Sequence, residues 1–156
     1  MRRLIWVTIV AILVPALPYN AVHAASDSVV ISSVQGAGSS AAYEFIEVKN
    51  TSNQAVDVTD WSLAYSSSSG STVSTLLRFT SPDAATRLML PGGSHEIFVS
   101  NEYSAALVTE KMGLMTFASG INHLGGAVLL RDQNATIVDS IGWGTATKYF
   151  ETAPAV

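Results

Sequence analysis

From Tyr43 to Leu63 the chain reads YEFIEVKNTSNQAVDVTDWSL, and this stretch constrains the fold more than any other. Over Tyr43 to Lys49 one set of alternate positions carries Glu44, Ile46 and Val48, and the other carries Tyr43, Phe45, Glu47 and Lys49. Apolar groups on both faces mark a central strand rather than an edge. Asn50-Thr51-Ser52-Asn53 follows, with side chains that hydrogen-bond their own backbone and so favour a turn. Ala55 to Val58 returns briefly. Thr59-Asp60 then leads into a third strand on which Trp61, Leu63 and Tyr65 share one face.

The rest of the chain is punctuated in the same way. Ser28 to Val34 is β-branched and apolar and reads as a first strand. Ser66 to Thr75 is almost wholly Ser, Gly and Thr, the composition of a flexible loop without core content. Leu76 to Phe79 reads as a short strand, Leu90-Pro91-Gly92-Gly93 as a proline turn, and His95 to Ser100 as another strand. Glu102 to Lys111 is the one helical stretch, and Leu114 to Phe117 a further short strand. Ala127 to Arg131 and Ala135 to Ile141 form a hairpin around Asp132-Gln133-Asn134. Many short strands at near-regular spacing, with little helix, predict an all-β antiparallel sandwich.

The chain opens differently. Met1-Arg2-Arg3 is basic, Leu4 to Val14 is an uncharged apolar run, and Val22-His23-Ala24 supplies small or aliphatic residues before a cut. That is the layout of a cleavable secretory signal peptide over residues 1–24. The run is too short to span a bilayer and is closed by Pro15 and Pro18. Residues 25–156 then make one domain with a core of useful size. The chain has twelve acidic residues against eight basic, and Arg2 and Arg3 belong to the leading segment. An acidic domain lacks the charge that displaces counterions from phosphates, which disfavours generic nucleic-acid binding. No cysteine is present, so disulfides, thiolate catalysis and thiolate zinc sites are excluded.

Phe45-Ile46-Glu47-Val48-Lys49-Asn50, the polar turn, Val56-Asp57-Val58-Thr59-Asp60-Trp61-Ser62-Leu63, Leu90-Pro91-Gly92-Gly93, and Ile137-Val138-Asp139-Ser140-Ile141-Gly142-Trp143-Gly144 occur in that order. Together they resemble the lamin-tail domain family, in its secreted bacterial form. The resemblance implies an immunoglobulin-like β-sandwich and a non-catalytic module. It makes Glu47, Asn50, Asp57, Asp60, Trp61, Leu63, Pro91, Gly92, Asp139, Gly142 and Trp143 the family-signature positions. Similar bacterial domains continue into a closing strand, whereas this sequence ends at Glu151 to Val156. The expectation is therefore a domain over residues 25–156 that lacks its last strand.

Few residues point to chemistry. Glu47, a carboxylate among aromatics, suits either a raised-pKa acid or an acceptor inside the sandwich, and the second reading is favoured because no partner acid sits at a readable spacing. Asn50 reads as the holder of its turn. Asp57 and Asp60 could be two calcium ligands, but without an Asp-x-Asp ladder they read as turn residues. His95 and His123 are too few for a zinc site, and no nucleophile elbow or His-Glu-x-x-His occurs. No catalytic residue, cofactor or metal is expected. Trp61 and Trp143 read as core anchors. Trp143, between two glycines, also suits a ligand contact, as do Tyr65, Tyr103 and Tyr149. Asn50-Thr51-Ser52 and Asn134-Ala135-Thr136 fit the glycosylation pattern but sit where turns need asparagine.

These readings converge on a secreted or cell-envelope-associated binding or structural module, for which a protein or a cell-surface glycan is a possible partner. Membrane attachment would come only through the leading segment or a C-terminal anchor beyond this sequence. Two rivals stand beside it. One is an accessory domain of a larger extracellular enzyme, a nuclease or other hydrolase, whose catalytic part lies outside this chain. The other is a surface subunit that self-assembles by strand addition.

Overall fold

The computed structural model describes residues 28–37, 39–40, 42–106, 115–118 and 120–150. The leading segment, the later part of the anticipated helix, Leu114 and Glu151 to Val156 lie outside the described residues. Within them the chain forms β1 (Val29–Gln35), β2 (Phe45–Asn50), β3 (Val56–Asp57), β4 (Ser62–Ser67) and β5 (Val73–Arg78). There follow β6 (Met89–Leu90), β7 (His95–Ser100), α1 (Asn101–Ala106), β8 (Thr116–Phe117), β9 (Gly125–Arg131) and β10 (Ile137–Gly144).

Two four-stranded sheets face each other, one in the order β1-β2-β7-β8 and the other β10-β9-β4-β5, and β3 and β6 form a small ladder of their own. The result is the all-β sandwich that the strand pattern predicts, consistent with the immunoglobulin-like fold that the family resemblance implies. The doubly apolar stretch is a central strand: β2 lies between β1 and β7, with Ile46 opposite Phe98 and Val48 opposite Glu96. One pairing departs from the antiparallel expectation: β8 runs parallel to β7, with Val99 beside Thr116.

Inward-facing side chains from both sheets fill the space between them. Val29, Ile46, Leu63, Val128 and Leu130 are fully buried, and Phe79 and Phe98 stack with centroids 4.7 Å apart and planes 10° from parallel. Each such side chain contributes roughly 1.5–3 kcal/mol relative to exposure, which offsets the absence of disulfides. The sheets are also tied by a polar bond. β1 is irregular between Ile31 and Ser33, and there the Ile31 N–H donates to the Asp139 carboxylate on β10 at 2.6 Å.

The Ser-rich stretch corrects its expectation. Ser66 is fully buried in β4, and Tyr65 and Ser66 pair with Ser74 and Val73 of β5. Only Ser68 to Thr72 turns. The Ser67 N–H donates to the Thr72 carbonyl at 2.9 Å, Gly70 adopts a left-handed conformation, and the Ser69 and Ser71 hydroxyls bond at 2.7 Å. Serine here fits against Ala127 and Gly126 of β9, where larger side chains would not pack.

Candidate functional site

One end of the sandwich gathers the C-termini of β1, β4, β7 and β10 and the start of β9. The loop 120–124 spans this end and is held from both sheets. From the first, Glu44 is 2 % exposed and accepts the N–H groups of Gly120 and Ile121, the latter at 2.9 Å. Burial pushes its carboxyl above the ordinary glutamate range, and the two amides pull against that shift. From the second, the Trp143 indole N–H donates to the Asn122 carbonyl at 3.0 Å.

Trp143 is fixed on its other side by Tyr65, whose ring lies 6.1 Å away at a tilt of 35°. The Tyr65 hydroxyl donates to the Gly125 carbonyl at 3.0 Å. A Cβ on Gly126 would meet the Tyr65 ring at 2.4 Å, so glycine there is a condition of the aromatic pair. Val34, Gln35, Gly36, Ala37, His123 and Ile141 complete, with Trp143 and Gly144, a half-open cleft of about 400 Å³. An aromatic face, three aliphatic side chains and two polar ones suit the stacking of a sugar ring or an extended peptide. The indole N–H is already spent on Asn122, so a ligand would meet the ring face.

The remaining signature residues build structure. Asn50 is fully buried. Its side-chain amide donates to the carbonyls of Gln54 at 2.7 Å and Leu90 at 2.9 Å, and its oxygen accepts from the Ser52 N–H at 3.0 Å. The Gly93 N–H donates to the Ser52 carbonyl at 2.9 Å, and a Cβ on Gly92 would strike the Asn53 backbone at 2.5 Å. The asparagine turn and the Pro91-Gly92 turn are thereby locked together. Asp57 accepts the Thr59 N–H at 2.9 Å and faces Arg87 at 3.6 Å, and its hydrogen bonds with Thr59 hold its carboxyl below the usual range. Asp60 takes a left-handed conformation, with φ of 62°. Trp61 is 8 % exposed and donates its indole N–H to Gln133 at 3.1 Å, and Leu63 is fully buried. Gly142 lies under Ala146 and Phe150. No grouping of His, Asp and Glu among the described residues could hold a metal ion.

Glu47 is not the interior acceptor. It lies on the outer side of β2, and its carboxylate meets the His95 ring nitrogen at 2.7 Å. Hydrogen bonds from Ser32 and then His95 lower its pKa, the opposite of the shift a general acid needs. The buried glutamate is Glu44, three residues earlier, which the sequence reading passed over. Its position on the alternate set with Ile46 and Val48 was the available signal. Tyr103 stacks on Tyr43, with centroids 5.2 Å apart, and Tyr149 follows β10 in a left-handed conformation. Neither lines the cleft, which brings together Trp143 with His123 and places Tyr65 behind it.

No curated protein matches the chain. The family model of the Lamin Tail Domain matches residues 23–145, a span that holds every strand described above. With its sandwich topology and the interlocked Asn50 and Pro91-Gly92 turns, the chain belongs to the lamin tail domain family.

Proposed function

We propose that this domain is a non-catalytic interaction module, secreted or held at the cell envelope, that grips its partner through the Trp143 cleft. The observation that carries the reading is the Trp143 ring. It is fixed by Asn122 and Tyr65, and it stands in a half-open cleft beside Gln35 and His123. A preorganised aromatic face loses little freedom on binding, which favours its use as an anchor. The chemistry suits a cell-surface glycan or an extended protein segment. The leading apolar segment supports export, and the family supports an interaction or structural role without catalysis.

The test is a calorimetric titration of the wild-type chain and W143A with peptidoglycan-type disaccharides, chito-oligosaccharides and proline-containing peptides. One probe class should bind the wild type, lose at least about ten-fold in affinity in W143A, and be recovered chemically intact. Turnover of the probe, or equal binding by W143A, would overturn the proposal.

A further inference from the structure

A second cavity of about 400 Å³ lies between the sheets, away from the Trp143 cleft. Its walls are apolar: Val48, Val58, Phe79, Leu88, Leu90 and Phe98, with Met89 at the mouth, 51 % exposed. Two charged residues, Arg87 and Glu96, interrupt this lining. Glu96, the second residue of β7, lies on the same side as Phe98 and directly opposite Val48, whose own side chain is in the core. The alternation that buries Phe98 thus places a carboxylate on the inner face of the sheet.

Among the described residues no cation reaches Glu96. Arg87 also lines the cavity, but it pairs with Asp57 at 3.6 Å, and His95 turns to the other face to meet Glu47. Burial pushes the Glu96 carboxyl above the ordinary glutamate range. The Glu96 carboxylate, half-buried beside apolar walls, is partly removed from water at some cost. It is also a ready counter-ion for a cation that brings its own apolar body. The stacked Phe79 and Phe98 rings both line the cavity, and aromatic faces attract the same kind of group.

We propose that this cavity is a binding site for an ammonium group carried on an apolar stem, with Glu96 as its counter-ion and the Phe79 and Phe98 rings among its walls. The chemistry is shared by a free alkylamine and by a lysine side chain of a partner. The site is separate from the Trp143 cleft, so W143A leaves it unchanged.

Calorimetry of the full chain with hexylammonium, hexan-1-ol, hexanoate and the peptide acetyl-Ala-Lys-Ala-amide tests it. Hexylammonium should bind about ten-fold or more tightly than hexan-1-ol, hexanoate should bind least, and E96Q should abolish the preference. Binding of the peptide as well, with the same sensitivity to E96Q, identifies a lysine side chain as a source. Binding of hexylammonium alone identifies free amines. Should E96Q fail to fold, the carboxyl carbon resonance of Glu96 in the wild type serves instead, and it should move on addition of hexylammonium. Equal binding of amine and alcohol, a preference that survives E96Q, or an unmoved resonance would overturn the proposal.

Discussion

The Ile31 N–H and the Asp139 carboxylate meet at 2.6 Å across the gap between the two sheets. Asp139 is only 4 % exposed, and the irregularity in β1 beside Ile31 frees that N–H from the ladder to reach it. Replacing Asp139 by Ala strands a buried donor, at a cost of about 1.5–3 kcal/mol. D139N keeps an acceptor and should cost less. Urea denaturation of both variants gives the comparison.

Asn50 is a linchpin of a different kind, because both ends of its amide are engaged. N50D should be more harmful than N50A. The aspartate would set a charge against the Gln54 and Leu90 carbonyls, whereas alanine only leaves them without a donor, at about 1–3 kcal/mol each. The order of thermal midpoints, wild type above N50A above N50D, checks this.

Trp61 and Trp143 should separate under mutation. W61A removes a ring that packs in the core and should cost about 3–5 kcal/mol. Trp143 is half-buried, so W143A should cost less in stability. The same denaturation experiment reads both.

Protonation gives a sign test. The folded pKa of Glu96 is raised by burial, so the folded state binds the proton more tightly than the unfolded chain does. Its effect is most favourable below the ordinary glutamate range and is lost as pH rises through the raised value. The stability of wild type relative to E96Q should therefore fall across that window and level off above it. Glu47 is lowered, chiefly by its bond with Ser32 and then by His95, so its contribution runs the other way. It is present above the ordinary value and lost as pH falls through the lowered one. Unfolding midpoints of wild type, E96Q and E47Q from about pH 3 to pH 8 should show opposite slopes for the two variants.

The parts of this fold that the sequence made legible rest on local pattern. β2 announces itself as central because Phe45, Ile46 and Val48 load both faces. The β9–β10 hairpin is visible because Asp132 to Asn134 interrupts two apolar-rich runs, and the Asp132 carboxylate accepts the N–H groups of Asn134 and Thr136 there. What escaped depends on distant partners. Glu44 precedes β2 on the same alternate set as Ile46 and Val48, a weak signal because apolar groups sit on both faces of that strand. The Glu44 carboxylate is held by the N–H groups of Gly120 and Ile121, more than seventy positions away. Ser66 reads as loop because its burial depends on the small residues of β9. Glu96 gives no local signal either, since His95, Ile97 and Val99 make the opposite face look equally suited to the core. The cleft itself joins β1, β10 and the loop around His123, and no spacing in the chain links the three.

The most direct measurement of the central claim is a residue-resolved NMR titration of the wild-type chain with the probe that binds best by calorimetry. The account predicts shifts centred on the Trp143 indole, Gln35 and His123, with the probe unaltered. Shifts centred elsewhere, with the Trp143 indole unmoved, would contradict it.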